Sequence, residues 1–437
     1  MKNNSDQAYT KLDWFVSLAI FMFPVTFLTV RHGVHVSLFA LLLMAAYYFW
    51  RGRPKNIHLD YPRDLFILLI FTGLFFSVLL SQIFRGAIHL AAFDGPSRIL
   101  IAGLVFLFIK QLNNPYIKIL SVAVPVGLIC VFFEIKINPS VYWGERFATY
   151  FVDPNTLGSQ SFILGILSFL MIGLGRGDSK ILPLLQVLGG TLGLYISIGS
   201  GSRGAWLTLP FLLILMLSLR VGDISLADPS KKSQMRIQTI AIFISILAVL
   251  FIGFLYSEKL SSRVISGYFE IHHWFSGANL DTSAGTRLSM WKFSFQFANE
   301  SLLFGYGEEK NMMQVLQGSP LNVLANETAI NTMALTGPHS DILSKLLSAG
   351  IVGLAAYLLL LAVPFYMFWQ RRNSENSDKK LASRIGLYYI LGVFIAGLSN
   401  EQLSLKYLCT FYGLMIATLL AQVLYQDRAK NHNPLHG

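Results

Sequence analysis

Three arginines stand at polar breaks in the long apolar stretches of the chain or close to such a break. Arg203 lies in the glycine- and serine-rich turn 199–204, Arg287 lies near the start of an amphipathic helix, and Arg98 follows a short polar run that begins at Asp94. An arginine presents a planar fork of donors that matches pairs of phosphate oxygens, and it stays charged at physiological pH. These positions are therefore candidate ligands for a phosphate group.

His339 is the candidate proton acceptor. A Gly-Pro pair precedes it and breaks the chain just before an apolar stretch. Because an unperturbed imidazole has a pKa of about 6.5, it can take a proton from a hydroxyl group near neutral pH.

Structural roles remain open for all four residues. An arginine at the end of a membrane helix can extend its charge to the interface, or it can be fully solvated. A histidine at an interface can be structural. Arg98, one turn inside an apolar segment, can pair with Asp94 or Glu145 instead of a ligand.

The elements that must position these residues are membrane helices. Of the 437 residues, 54% are hydrophobic and only 13% are charged, which is more apolar surface than one soluble core can bury. A helix needs roughly 20 apolar residues to cross a hydrocarbon layer about 30 Å thick. The sequence predicts an all-α membrane protein with about twelve spans: 14–30, 34–50, 65–82, 97–112, 117–133, 156–174, 181–198, 204–220, 237–256, 341–369, 385–399 and 403–424.

Basic residues predict the orientation, because Lys and Arg in short loops are retained in the cytoplasm. With a cytoplasmic N-terminus, most of the 34 basic residues fall in cytoplasmic segments, and both termini are cytoplasmic. The short loops of the other side hold Arg31, Arg85, Arg98, Lys136, Arg146, Arg203 and Lys406. The net charge of +11 reflects this bias and an attraction to membrane lipids, and it gives no reason to expect a nucleic-acid partner.

One polar interruption, residues 257–340, is much longer than the others and carries both Arg287 and His339. It divides the chain into nine spans (1–256), a non-cytoplasmic loop or cap (257–340), and three spans with a cytoplasmic tail (341–437). No nucleotide energy is available on that side of the membrane. A transfer reaction there needs a pre-activated donor.

The interruption has helical signals of its own. Leu288, Trp291 and Phe295 recur at helical spacing, which predicts a short amphipathic helix with Thr286 as its N-cap. A turn is predicted at Phe304-Gly305-Tyr306-Gly307. We expect an ordered cap of helices and turns on the membrane surface.

The order of these motifs resembles the bacterial O-antigen ligases over essentially the whole chain. The shared features are Asp94-Gly95-Pro96-Ser97-Arg98, Gly201-Ser202-Arg203-Gly204, an arginine before a Trp in the large loop (Arg287), and a Gly-x-His at the end of that loop (His339). The Ser-Arg-Gly turn and the loop-end histidine are also found in the related O-antigen polymerases. Ser340 departs from the pattern, because many relatives have Asn after the histidine.

The resemblance implies an inverting glycosyltransferase of the bacterial inner membrane, with a fold similar to GT-C-type enzymes and a periplasmic active site. It would move a glycan from undecaprenyl pyrophosphate to a sugar hydroxyl of the lipid A core, in lipopolysaccharide biosynthesis. Arg203 and Arg287, with Arg98 third, would stabilise the pyrophosphate leaving group, and His339 would accept the proton of the acceptor hydroxyl or orient the acceptor. No cofactor or metal is expected, because arginines can supply the positive charge.

Two other functions remain open. An O-antigen polymerase would use the same donor with a second lipid-linked glycan as acceptor. A lipid-linked oligosaccharide flippase, or another transporter with twelve spans, is less well supported: transporters often have two matching halves and ionisable groups near the middle of the membrane. In this chain the halves do not match, and the notable charges cluster toward one surface.

Overall fold

The computed structural model describes residues 4–51, 60–112, 114–172, 181–307 and 326–425, and within these ranges every long regular element is a helix. The α-helices are α1 (Asn4–Thr26), α2 (Gly33–Arg51), α3 (Arg63–Arg85), α4 (Asp94–Ile109), α5 (Tyr116–Ile137), α6 (Pro154–Leu170), α7 (Ile181–Ser200), α8 (Arg203–Trp206), α9 (Thr208–Leu226), α10 (Pro229–Tyr256), α11 (Glu258–Ser276), α12 (Ser283–Ala298), α13 (Glu327–Thr336), α14 (Asp341–Arg371), α15 (Ser377–Gly397) and α16 (Lys406–Leu424). This confirms the predicted all-α class.

Nine helical segments of the described ranges are long and apolar enough to cross a membrane. They are Gly33–Trp50, Arg63–Arg85, Leu90–Ile109, Tyr116–Ile137, Ile181–Ser200, Arg203–Leu226, Asp341–Arg371, Ser377–Gly397 and Lys406–Leu424. Each matches a predicted span, so the protein is of the multi-span membrane class. The predicted spans 14–30, 156–174 and 237–256 correspond to α1, α6 and α10. Their crossing, the count of twelve and the likeness to GT-C-type folds stay predictions.

Helix α16 forms the centre of the bundle. Nearly all its side chains are buried, on every face of the helix, which is expected for a helix that is hydrophobic all round. It packs against α4, α15 and α2. Its Phe411 ring stacks on Phe27, which directly follows α1, with the ring centroids 3.8 Å apart. Helix α16 is therefore held firmly by the core from Leu408 onward.

Helices α6 and α7 approach each other very closely at glycines. A Cβ atom added at Gly193 would lie 2.8 Å from the Cα of Gly165, so no larger residue fits there without a shift. Small residues allow this close backbone approach between membrane helices. The contact fixes the end of α7 beside the start of α6.

Several connections meet at one end of the bundle, which we call the cap side. Arg31 N donates to Tyr150 Oη at 2.8 Å, and Phe147 N donates to Gly199 O at 3.1 Å. Arg85 Nη1 donates to Tyr306 O at 2.8 Å, which places the end of α3 there as well. The loops that the charge rule groups on the non-cytoplasmic side therefore do lie together.

The cap consists of residues 257–307 and 326–340, which include α11, α12 and α13; positions 308–325 of the predicted cap lie outside the described residues. Helices α11 and α12 form a hairpin in which Trp274 Nε1 donates to Ser289 Oγ at 2.9 Å. Below α12, a small apolar cluster that includes Phe293 and Met333 joins the cap to Leu347 of α14. The cap is therefore packed onto the bundle.

The predicted helix around Leu288 exists, but its predicted N-cap was wrong. Helix α12 begins at Ser283, and Thr282 caps it by accepting a hydrogen bond from Gly285 N. Thr286 lies inside the first turn, because the amphipathic pattern does not show the polar turn that precedes it. The turn predicted at 304–307 is present, with positive φ at both of its glycines.

Candidate active site

The turn between α7 and α8 places Arg203 toward the cap. Gly201 has a φ of +65°, in the left-handed region that glycine adopts without strain. A Cβ atom added at Gly204 would lie 2.2 Å from Ser399 Oγ, so the turn approaches the connection between α15 and α16 very closely. Arg203 is the first residue of α8, immediately after this tight bend.

Arg203 makes an ion pair with Glu270 of the cap. Its Nη1 and Nη2 atoms each lie 2.9 Å from one of the two carboxylate oxygens. Glu270 also accepts a hydrogen bond of 2.9 Å from Ala284 N, in the first turn of α12. Burial alone would raise the pKa of Glu270, but the hydrogen bonds from Arg203 and Ala284 outweigh it and lower that pKa, so the carboxylate is charged.

Arg287 extends from α12 into the same region. Burial lowers its pKa, the positive charge of Arg203 lowers it further, and Glu270 and Asp153 oppose the shift. Its Nη1 donates weakly to Ser283 Oγ at 3.3 Å, while its buried Nε has no hydrogen-bond partner among the described residues. This guanidinium therefore keeps donor capacity and lies where an anion would be favourable.

Two further arginines, which the motifs did not single out, complete the cluster. Arg146, from the connection between α5 and α6, donates through Nε to Ser200 O at 2.7 Å and through Nη2 to Asn155 Oδ1 at 2.8 Å. Burial and the nearby charge of Arg263 are the main causes that lower the pKa of Arg146, to about 10. Arg263 of α11 lies over Gly201, where an added Cβ atom would be 3.3 Å from its Nε.

We call the space among these residues the arginine pocket. It is lined by Arg146, Arg203, Arg263 and Arg287 together with Asn155, Gly201, Ser202, Gly204, Ser283, Ser399 and Asn400. Its volume of about 50 Å³ has room for a few water-sized polar groups, which suits a phosphate better than a whole sugar chain. Among the described residues, only Arg203 of the four forms an ion pair with a carboxylate. The pocket therefore carries excess positive charge and favours an anion.

His339 borders this pocket in a strained backbone conformation. Its φ is +51°, and only one other non-glycine residue in the described ranges, His32, has a positive φ. Such strain is found mostly at functional sites, where the surrounding structure enforces it. Trp291 Nε1 of α12 donates to Pro338 O at 3.1 Å, which ties the histidine turn to the helix that carries Arg287.

The imidazole of His339 is neutral near neutral pH. Burial is the main cause that lowers its pKa to about 4, and the charge of Arg287 adds to the effect, while Asp153 and the facing Asn400 oppose it. Its Nε2 lies 3.1 Å from Thr336 Oγ1. A neutral imidazole has one nitrogen with a free lone pair, so His339 can accept a proton or a hydrogen bond.

Asn400, which lines the arginine pocket, belongs to a connection held in place by Asp341. The fully buried Asp341 carboxylate accepts hydrogen bonds from Gln402 N at 3.0 Å and Leu403 N at 2.9 Å. Gln160 of α6 donates to Gln402 Oε1 at 2.7 Å. This buried network fixes the wall of the pocket opposite the cap, and no motif in the sequence points to it.

Arg98 does not line the arginine pocket. It lies 3.5 Å from Asp94, as the pairing alternative predicted, and its guanidinium stands 5.3 Å from the centre of the Phe39 ring. Helix α4 begins at Asp94 itself, and Phe93 holds the cap position without a side-chain bond. Asp94 instead binds Lys406 Nζ at 3.2 Å. Of the three candidate arginines, Arg203 and Arg287 therefore line the arginine pocket, and Arg98 lies outside it.

The described residues contain no cluster of three or more His, Cys, Asp or Glu side chains that could hold a metal ion. Cys130 and Cys409 are both free thiols. The positive charge at the pocket comes from arginine.

Comparison with known proteins agrees with this geometry. Residues 188–358 match the family model described as O-antigen ligase, a range that contains Arg203, Arg263, Glu270, Arg287 and His339. An uncharacterised protein of Haemophilus influenzae is 23% identical over 391 residues, which cover 87% of this chain and 91% of that protein. The resemblance drawn from the motifs is confirmed over residues 188–358, where this multi-helix membrane protein carries a region that matches the O-antigen ligase family.

Proposed function

We propose that the protein transfers a glycan from an undecaprenyl pyrophosphate donor to a sugar hydroxyl of the lipid A core, on the periplasmic side of the bacterial inner membrane. One observation carries the proposal. Four guanidinium groups from four separate segments line one small pocket, and a neutral imidazole borders it. That arrangement combines binding of a highly charged leaving group with a proton acceptor.

The arginine pocket would hold the donor pyrophosphate. When the bond between the anomeric carbon and the phosphate oxygen breaks, negative charge develops on the leaving group, and prearranged cations stabilise it. Arg287 and Arg263 have no carboxylate ion pair within the described residues, so they are the strongest candidates for direct contact. Arg203, which is held by Glu270, would contribute charge and keep the turn in position.

His339 would accept the proton of the acceptor hydroxyl. The acceptor oxygen forms a bond to the anomeric carbon on the face opposite the pyrophosphate, the carbon–phosphate oxygen bond breaks with its electron pair on the leaving group, and the hydroxyl proton passes to His339. Inversion at the anomeric carbon follows from this single displacement. Water then removes the proton from the imidazole.

Donor binding would also strengthen the base. The positive charge of Arg287 is one of the causes that lower the pKa of His339 to about 4. A bound pyrophosphate neutralises that charge, so it raises the pKa of His339 toward its ordinary value. The base would therefore become most effective after the donor has arrived, which protects against unproductive proton transfer.

Helix α11 supports an approach of the donor from the lipid. It is amphipathic, with Arg263 and Glu270 toward the pocket and with exposed apolar side chains at Tyr268, Phe269 and Phe275. A helix of this kind can lie in the membrane interface with its apolar face in the lipid. A polyprenyl chain beside that face would place its pyrophosphate near the pocket.

A reconstituted transfer reaction tests which acceptor the protein uses. The purified protein receives the lipid-linked glycan, with or without lipid A core, and the products are separated by size. Glycan attached to lipid A core supports the proposed ligase. Lengthening of the lipid-linked glycan without lipid A core identifies a polymerase, and movement of unmodified donor across the membrane with no new bond identifies a flippase. Arg287→Ala serves as the inactive control for either transfer reaction.

A further inference from the structure

A second and larger pocket lies on the cap side of the bundle. It has a volume of about 410 Å³ and is lined by Arg31, His32, His35, Tyr150, Phe151, Leu405, Lys406 and Tyr407. We call it the α2/α16 pocket, because His35 lies in the first turns of α2 and Lys406 begins α16. None of its lining residues lines the arginine pocket.

The charged groups of this pocket favour an anion. Arg31 and Lys406 are exposed at its wall, and Arg98 stands close enough to His35 to act on it electrostatically. Two carboxylates are nearby: Asp94, which lies 3.2 Å from Lys406 Nζ and 3.5 Å from Arg98, and Asp153, whose charge acts on Tyr407 of the pocket wall. The three cations outnumber these two carboxylates, which leaves positive charge for a ligand. The buried Nε of Arg98 has no hydrogen-bond partner among the described residues.

The depth of the pocket points to a lipid. The apolar spans Gly33–Trp50 and Lys406–Leu424 begin at or within two residues of its lining side chains, so these side chains lie at the level where a membrane span ends. Tyr150, Phe151, Leu405 and Tyr407 give it a largely apolar wall. Cations above an apolar wall at this depth match a phosphate head group attached to hydrocarbon chains.

Backbone strain marks the same place. His32, with a φ of +75°, is the second of the two non-glycine residues with positive φ in the described ranges. It lines the α2/α16 pocket, as His339 borders the arginine pocket. The side chain of His35 is buried and its Nδ1 lies 2.9 Å from Thr410 Oγ1, which orients its ring between α2 and α16. Hydrogen bonds therefore hold the inner wall of the pocket in place, through the His35 ring and through the bond from Arg31 N to Tyr150 Oη.

We propose that the α2/α16 pocket binds the phosphate group of an anionic lipid, whose chains lie in the adjacent half of the membrane. Arg31 and Lys406 contact the phosphate, and the aromatic wall contacts the first part of the chains. This site is independent of the transfer reaction, because it requires neither a pyrophosphate donor nor His339. One lipid molecule would then be bound at a defined position, in addition to the bulk lipid that surrounds the helices.

Lipid retention tests the proposal. The full-length protein is purified in detergent, phosphatidylglycerol or diacylglycerol is added, and the lipids that remain bound are counted by native mass spectrometry. We expect phosphatidylglycerol to be retained over diacylglycerol, which lacks a phosphate. Because a basic side chain near a membrane surface contributes about 1 kcal/mol of attraction, Arg31→Gln and Lys406→Gln should each weaken that retention about fivefold.

Two matched variants make the result specific. Lys292→Gln removes an exposed charge from α12 without touching the pocket, and it should bind as the unmodified protein does. Arg287→Ala alters the arginine pocket alone, so retention that survives it does not depend on that pocket, whether or not the proposed transfer reaction occurs. Equal retention of both lipids, or no loss in Arg31→Gln and Lys406→Gln, overturns the proposal. Displacement of phosphatidylglycerol by inorganic phosphate overturns the lipid assignment and indicates a site for soluble phosphate.

Discussion

Arg203 and Glu270 join the membrane helices to the cap through a paired contact, in which two guanidinium nitrogens each lie 2.9 Å from a carboxylate oxygen. The same carboxylate accepts a hydrogen bond from Ala284 N at the start of α12. Arg287 lies one turn further along α12. One carboxylate thus sets the position of two arginines that belong to different parts of the chain.

Glu270→Ala should reduce transfer about tenfold or more, mainly in kcat, because Arg203 and α12 lose their common partner while the positive charge that attracts the donor remains. Misplacement of reacting groups by about 1 Å can cost on the order of a hundredfold in rate. The measurement is steady-state transfer at varied donor concentration. Glu258→Ala, on the exposed first turn of the same helix, is the control and should be unaffected. A rise in KM alone would contradict a positioning role.

Arg287→Lys should lose roughly a hundredfold in transfer rate, and Arg287→Ala should lose more. Removing one donor that stabilises developing negative charge costs about 10²- to 10³-fold in known enzymes. Lysine keeps the charge but cannot bind two phosphate oxygens in one plane. Lys292→Ala removes an exposed charge from the same helix and should keep full activity. If Lys292→Ala lost as much activity as Arg287→Ala, the transfer rate would depend on the overall positive charge of the helix and not on the Arg287 site.

The pKa of His339 should be measurable by NMR titration of a labelled imidazole, near 4 in the unmodified protein. Arg287→Gln should raise it, because a positive neighbour is removed, and Lys292→Gln should leave it unchanged. Since the folded-state pKa lies below the ordinary value of about 6.5, the stability that neutral His339 contributes is complete above pH 6.5 and is lost as the pH falls toward 4. A pKa of 6.5 in both proteins would refute the coupling between the two residues.

Asp341→Ala should destabilise the protein by about 3 kcal/mol, because two buried N–H groups, those of Gln402 and Leu403, lose a charged acceptor. Asp341→Asn keeps one acceptor oxygen, so its stability should lie between that of the unmodified protein and that of Asp341→Ala. Thermal unfolding in detergent gives the comparison. Asp228→Ala, an exposed carboxylate 3.8 Å from Lys231, should have almost no effect. Equal midpoints for the two alanine variants would mean that the loop does not depend on Asp341.

Much of the fold followed from composition and charge, because apolar stretches of membrane-spanning length have few alternative structures. The same reasoning grouped Arg203, Arg287 and His339 on one side of the membrane. Their motifs are local: a tight glycine turn, an amphipathic helix and a Gly-Pro break each occur within a few residues. Local signals of this kind can be read without knowing the tertiary packing.

Arg146, Arg263 and Glu270 could not be found in the same way. Arg146 has no motif around it, and it reaches the pocket only because the connection after α5 folds against Gly199. Arg263 and Glu270 lie on α11, where an arginine and a glutamate at helical spacing are typical of any solvated helix face. Arg98 had a stronger motif but pairs with Asp94 away from the pocket. The chemistry of these residues depends on contacts distant in sequence.

The crowding of four guanidinium groups has a consequence for the life of the protein in the membrane. Arg146, Arg203, Arg263 and Arg287 repel one another, and this repulsion opposes the packing of the cap on the bundle. A bound dianion cancels it, so under the proposed function the donor is also a folding ligand that stabilises the native state by mass action. A cell that runs short of lipid-linked glycan would then lose enzyme to unfolding and degradation, which would match the amount of transferase to the supply of its substrate.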